Sequence, residues 1–177
     1  MNARHFKPVI VAAIAAASSL LTVLAHADGI YVGGALGAPH FGDTVNGVEG
    51  GSSGVSGKVF GGYQLNPNFA LEAGVAELGR ISNGSGSIKS HGEYLDAVGL
   101  LPLGGNFSLL GSAGLAHVNL NTSNGDSDGF GLKLGLGGEY ALSQRVSLRG
   151  EYERYQPSAF GSHPVVGQFT FGVRVGF

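Results

Sequence analysis

Apolar and polar residues alternate strictly at the end of this chain. From Gln168 to Phe177, the residues Phe169, Phe171, Val173, Val175 and Phe177 fall on one parity, and Gln168, Thr170, Gly172, Arg174 and Gly176 on the other. A β-strand turns successive side chains to opposite faces, so this segment has an apolar face and a polar face. About ten residues of such a strand, tilted near 45°, cross a bilayer. The alternation recurs and predicts eight strands, near 29–38, 55–65, 69–79, 91–101, 107–117, 129–140, 146–155 and 166–177.

The connectors alternate in length. Asn66-Pro67-Asn68, Pro102 to Asn106 and Ala141 to Arg145 are short, whereas 39–54, 80–90, 118–128 and 156–165 are long and rich in Gly, Ser, Asn and Asp. Tight turns at one end, longer loops at the other and an even strand number are the pattern of a transmembrane barrel. Hydrocarbon offers no water to backbone amides, so a sheet that crosses it must close on itself. The predicted fold is therefore all-β, an eight-stranded antiparallel transmembrane barrel in up-and-down order. Parity assigns Ile30, Val32, Leu36, Val59, Leu71, Val75, Leu95, Leu109, Leu115, Leu132, Leu134, Leu136, Val146, Leu148 and Tyr152, with the apolar C-terminal set, to the lipid side. Tyr63, Phe69, Phe107, Tyr140 and Phe177 fall near strand ends on the short-turn side, where an interface offers rings an apolar side and a wet side.

The opposite parity carries charge. Lys58, Glu72, Asp96, Lys133, Glu139, Arg149, Glu151 and Arg174 all point inward on this reading. A lipid-facing Arg or Lys at the midplane costs ~2–4 kcal/mol, so inward pairing is preferred. Four bases against four acids suggest mutual neutralisation rather than an ion-selective ring. Three roles compete: a structural plug, a hydrated path for small ions, and a catalytic carboxylate pair. The last is disfavoured because acids held by Arg and Lys make poor general acids.

The N-terminus changes the picture of where the chain goes. Arg4, His5 and Lys7 precede an apolar run from Val9 to Leu24, and Ala25-His26-Ala27 is a small-x-small pattern. This predicts a secretory signal peptide over 1–27, cleaved after Ala27, with Ala25 and Ala27 as the cleavage signal and a barrel over 28–177. A signal anchor is the alternative, but the apolar run is short for a span. Removing 1–27 takes away Arg4 and Lys7 and no acid, so the formal charge moves from −2 to −4. No basic patch points to nucleic acid. The absence of cysteine excludes a disulfide framework and any thiolate site. Glycine, at 33 of 177 residues, far exceeds its usual ~7%, yet shows no three-residue period. Glycine within alternating strands suits a narrow barrel whose strands bend and coil tightly.

Several blocks resemble a known family. Phe60-Gly-Gly-Tyr-Gln-Leu-Asn-Pro67, then Glu72 and Leu78-Gly79-Arg80, are similar to the second and third strands of outer membrane protein A. Gly138-Glu139-Tyr140-Ala141, followed by Arg149, Glu151 and Tyr152, and the closing Gly172-Val173-Arg174-Val175-Gly176-Phe177 are similar to later strands of that family. The resemblance implies an eight-stranded barrel in the outer membrane of a Gram-negative cell. It also implies that the barrel-assembly machinery reads the terminal strand through Phe169, Phe171, Val173, Val175 and Phe177, with periplasmic chaperones escorting the chain. Lumen acids and bases of the family form a salt-bridge plug or gate, and Glu72, Glu139, Arg149 and Glu151 match that pattern. The position resembling the family's fourth-strand lumen lysine is Val98, leaving Lys133 or Lys58 to supply the charge, so a gate is not carried over. Many family members continue into a periplasmic peptidoglycan-binding domain. The sequence ends at Phe177, before any such domain, and the cell-wall tether is not carried over either.

Other motifs carry less. Asp126 and Asp128 in Asn121 to Gly129 lack the spacing and the bidentate Glu of a calcium loop, so no metal is expected. Asn83-Gly84-Ser85-Gly86-Ser87 precedes no helix and reads as loop rather than phosphate cradle. His40, His91, His117 and His163 lie on the long-loop side. Ser90–His91 and Ser162–His163 are neighbours in sequence, a poor arrangement for a catalytic pair on a strand. The leading expectation is a structural outer-membrane protein, not an enzyme and without a cofactor, whose loops meet an adhesion or receptor partner. A small low-conductance pore is the alternative, and a lipid A-modifying barrel enzyme a remote one. Expected contacts are outer-membrane lipid and lipopolysaccharide. A monomer is expected, although an exposed face of small residues permits close packing of copies.

Overall fold

The computed structural model describes residues 29–41, 54–83, 86–122, 125–157 and 165–177. The expected cleavage signal at Ala25 and Ala27, much of the loops 39–54 and 156–165, and His163 lie outside them. Eight strands follow in order: β1 (Ile30–Phe41), β2 (Ser56–Asn66), β3 (Phe69–Asn83), β4 (Gly86–Gly104), β5 (Phe107–Thr122), β6 (Gly125–Ala141), β7 (Val146–Pro157) and β8 (Val166–Gly176). Each pairs antiparallel with its neighbours, and β1 pairs with β8 from Tyr31↔Gly176 to Phe41↔Val166. The result is a closed up-and-down barrel with no free edge along its transmembrane wall.

The short turns are built by their own side chains. Asn66 Oδ1 accepts from the N–H groups of Asn68 at 2.9 Å and Phe69 at 3.0 Å. Ser143 Oγ accepts from Val146 N–H at 3.1 Å. Asx and Ser turns of this kind satisfy backbone donors that no strand can reach. These turns mark the periplasmic end by the rule that short turns lie inside and long connections outside.

The other end differs from expectation. The sequence composition reads as loop over 80–90 and 118–128, but β3 and β4 remain paired to Asn83↔Gly86, and β5 and β6 to Thr122↔Gly125. Polar composition reports that these arms are solvated. It does not stop them from pairing, which satisfies their amides above the lipid as it does within it. His40 accordingly stands on β1 rather than in the loop 39–54, while His91 and His117 stand on β4 and β5, within the expected strands. The strands β3 to β6 run 15 to 19 residues against 11 or 12 for the others, so one side of the barrel projects as a four-stranded sheet. Leu78 and Gly79 together oppose Ser90 in a bulge, and Gly79 takes φ +93°, a conformation that favours glycine. Pro157 ends β7 opposite Gly131, where its missing N–H closes the ladder.

The assigned faces are those seen. Leu36 is 70% exposed, Val59 64%, Leu115 64% and Phe169 64%, forming an apolar outer wall. Inward, the tips of large rings lie over glycines of adjoining strands. A Cβ on Gly62 would meet the Tyr31 ring at 2.3 Å, and one on Gly74 the Tyr94 ring at 2.7 Å. That is where much of the glycine content goes: eight strands leave an interior just wide enough for side chains to fill, and each inward ring takes the space of a neighbour's side chain.

Closure itself depends on close approach. A Cβ on Gly172 would lie 2.1 Å from Gly34 O and 2.5 Å from Ala35 Cα, at the seam between β8 and β1. Gly172→Ala should therefore lower stability by about 1–3 kcal/mol, the usual cost of overpacking. Gly111→Ala, which meets nothing within 4 Å, should be near neutral. Urea titration of the heat-modifiable folded band in lipid vesicles checks the pair; equal midpoints would show that the seam yields.

Candidate functional site

The lumen holds the densest chemistry in the molecule. All eight charges assigned inward by parity are there. Seven are buried, and Arg174 is partly so, with 16% of its side chain exposed at the periplasmic end. The structure gathers them into two connected layers.

The layer nearer the periplasm centres on Arg149. Its Nη1 donates to Glu72 Oε2 at 2.7 Å, and its Nε to Glu139 Oε2 at 3.2 Å. Glu139 Oε1 accepts from Arg174 Nη1 at 3.1 Å, and Arg174 Nη2 donates to Gln64 Oε1 at 2.7 Å. Two phenols complete Glu72: Tyr31 donates to Oε2 at 3.1 Å and Tyr94 to Oε1 at 3.3 Å. Aromatic faces back the cations, with Arg149 Cζ 4.8 Å from the Phe60 centroid and Arg174 Cζ 4.0 Å from that of Tyr31.

The outer layer centres on two lysines. Lys58 Nζ contacts Glu151 Oε2 at 2.6 Å and Glu153 Oε1 at 3.1 Å. Lys133 Nζ bonds to Asp96 and lies 2.6 Å from Glu153 Oε1. Ser112 Oγ donates to Glu151 at 3.1 Å, and Gln168 Nε2 to Glu153 Oε2 at 2.9 Å. Tyr94 joins the layers, since its ring lies 4.2 Å beneath Lys133 Nζ while its hydroxyl reaches Glu72.

Glu153 was missed in the sequence reading and is the bridge of the outer layer, fully buried between both lysines. The signal was present: it follows Arg149 and Glu151 on the same parity of β7. Its inclusion changes the balance from four against four to four cations against five carboxylates. Gln168, Tyr31, Tyr94 and Tyr155 are further inward groups that charge counting does not find. Both lysines held open as substitutes for the charge absent at Val98 are engaged. Val98 itself is 1% exposed and belongs to an apolar cluster.

Apolar side chains frame the charges. At the outer end Leu78, Val118, Tyr155 and Val166, from β3, β5, β7 and β8, are fully buried across the barrel mouth. Toward the periplasm Ala70, Val98 and Leu110 fill the side of β3 to β5, and the Arg174–Glu139–Gln64 group fills the other. Charges removed from water in this way are tolerable only with close counter-ions and satisfied lone pairs. The arrangement can fill, order and close a lumen. Its carboxylates are all engaged with cations.

The other candidate groups do not assemble with it. Ser90 is buried and His91 exposed on the opposite face, as strand parity requires. His117 Nε2 lies 3.0 Å from Asp128 Oδ2, and its ring stacks on Phe130 with centroids 4.6 Å apart. Asp128 thus has a histidine partner, and no group of three or more metal-binding side chains occurs among the described residues. Phe169, Phe171, Val173, Val175 and Phe177 share the lipid face, with Phe169 and Phe171 the most exposed.

A closed eight-stranded barrel with an apolar outer wall and a charged, filled interior defines a transmembrane barrel of the outer membrane. Residues 9–177 match the family described as outer membrane protein beta-barrel domain, and the chain belongs to that family. Solved structures of the same fold include Neisserial surface protein A, with 20% identity and TM-score 0.67 over 85% of this chain and 98% of that one. The attachment invasion locus protein Ail of Yersinia pestis has 14% identity and TM-score 0.61 over 85% of this chain and 99% of its own. The N-terminal barrel domain of Pseudomonas aeruginosa OprF has 15% identity and TM-score 0.57 over 83% and 98%. No curated protein matches by sequence. The outer-membrane barrel implied by the outer membrane protein A motifs is thereby established, and the chain is an outer-membrane protein.

Breaking one ion pair should expose the cost of the network. Arg149→Ala leaves Glu72 and Glu139 without their shared cation and should destabilise the barrel by about 3–5 kcal/mol. Arg149→Met with Glu72→Gln, which removes both charges at similar volume, should recover much of that loss. Denaturant unfolding of the three proteins in one lipid tests this; a double variant as weak as Arg149→Ala would argue against charge burial as the cause.

Proposed function

We propose that this protein is a structural, non-enzymatic barrel of the outer membrane that works through surface contacts rather than by transport. The observation that carries the reading is the filled lumen: two ion-pair layers lie beneath an apolar layer of Leu78, Val118, Tyr155 and Val166. An aqueous path needs a continuous polar channel, and buried aliphatic groups across the mouth oppose wetting. The projecting β3–β6 sheet and the connections beyond the membrane are then the parts available to a partner. A protein of this fold, Ail, is named for attachment and invasion, and one of its structures holds the heparin analogue sucrose octasulfate. Biogenesis follows the usual route on this reading, with the terminal strand ending at Phe177 presented to the assembly machinery.

Protein purified from outer membranes, placed in a planar bilayer, should show no steady openings. Arg149→Ala should also remain closed in its folded fraction, because the outer apolar layer is intact. Steady wild-type conductance would establish the small-pore reading instead. Openings in Arg149→Ala alone would make the charges, not the apolar layer, the barrier. Unchanged lipid A by mass analysis, with and without the protein, is expected of a non-enzyme; a modified lipid would overturn it.

Surface contact has its own check. Shortening the connection within 42–53 or 158–164 should abolish adherence of expressing cells to a heparin-coated surface while the heat-modifiable barrel band persists. Adherence that survives both deletions would remove the loops from the function.

A further inference from the structure

The outward face of β1, β2, β7 and β8 carries one charged Arg or Lys side chain and no acid among the described residues: Arg154. It stands eight residues beyond Val146 on β7. At about 3.3 Å per residue and a tilt near 40°, that is roughly 20 Å above the strand's periplasmic start, near the upper edge of an apolar band about 25 Å tall. Its surroundings are apolar. Leu134 is its Cα partner on β6, and the Tyr152–Phe169 ring pair, with centroids 4.6 Å apart, lies one step below.

The site has a shape. Arg154, Gly167 and His40 form one row across β7, β8 and β1. Gly167 supplies no side chain, and a Cβ there would meet the Tyr152 hydroxyl at 2.8 Å. The phenol oxygen therefore lies across the gap between Arg154 and His40. Arg154 and the Tyr152 hydroxyl make no hydrogen bond or ion pair with other described residues. On the β3–β6 side the outward acids have histidines across the ladder: Glu77 is opposite His91, Glu93 is opposite His117, and Asp128 binds His117. A guanidinium at the edge of hydrocarbon snorkels to the interface, where the headgroups offer it anions. Its planar fork, beside a phenol donor, matches a phosphate.

We propose that Arg154, with the Tyr152 hydroxyl seated over Gly167, binds a phosphate of the phosphorylated glycolipid of the outer leaflet. This goes beyond the surface-contact reading and does not rest on it. The site would fix which part of the barrel wall meets that lipid.

Native mass spectrometry of protein purified from outer membranes and stripped of lipid in detergent provides the test. The probes are bisphosphorylated lipid A, fully dephosphorylated lipid A and phosphatidylglycerol. Wild type should bind bisphosphorylated lipid A roughly tenfold tighter than either other lipid, as expected for loss of a charge-assisted contact. Arg154→Gln should abolish that preference, Tyr152→Phe should reduce it, and Arg145→Gln in the periplasmic turn should keep it. Each variant must retain the heat-modifiable band, which the outward position of both side chains allows. Preference surviving Arg154→Gln, or wild type binding dephosphorylated lipid A equally well, would overturn the assignment. Equal binding of phosphatidylglycerol would overturn the choice of glycolipid.

Discussion

Everything in this barrel depends on the backbone ladder between β1 and β8. Hydrocarbon cannot hydrogen-bond an amide, so the sheet is stable only once its first and last strands meet. The register of that seam, from Tyr31↔Gly176 to Phe41↔Val166, fixes which residues face each other across the interior. Closure with eight strands also fixes the diameter. The interior must then be filled to native density, or its voids would cost the same contacts that a cavity costs in any core.

How the interior is filled reflects what faces the other way. The lipid side has claimed most of the aliphatic residues, so between its two apolar ends the inward parity holds charge, phenols and glycine. Ion pairs are an expensive filling, tolerable because each cation touches two acceptors and each layer is backed by rings. Glycine beneath Tyr31 and Tyr94 is the counterpart of those rings: one strand gives up a side chain so that the next can place a large one.

The period-two alternation of the chain explains what was legible beforehand. Strict alternation over ten residues specifies both strand and face, so all eight strands and all eight inward charges followed from parity. Glu153 obeys the same rule and was overlooked, not hidden. The extensions of β3 to β6 were hidden, because pairing such as Thr122↔Gly125 is decided by the partner arm and not by apolar content. Nor does parity show which charges meet. That Lys133 joins Asp96 to Glu153, rather than reaching Glu72 beneath Tyr94, depends on strand stagger, which only the closed structure displays.

The two ends of the filled lumen are unlike. Outside, four fully buried side chains cover the outer ion-pair layer, whereas inside, Arg174 keeps a partly wet edge against Glu139. Dissolved electrolyte screens only charges it can approach. The internal electrostatics of this barrel therefore answer to the periplasm and are insulated from the salinity of whatever fluid bathes the cell. A surface protein built this way can meet dilute or concentrated surroundings with the same interior.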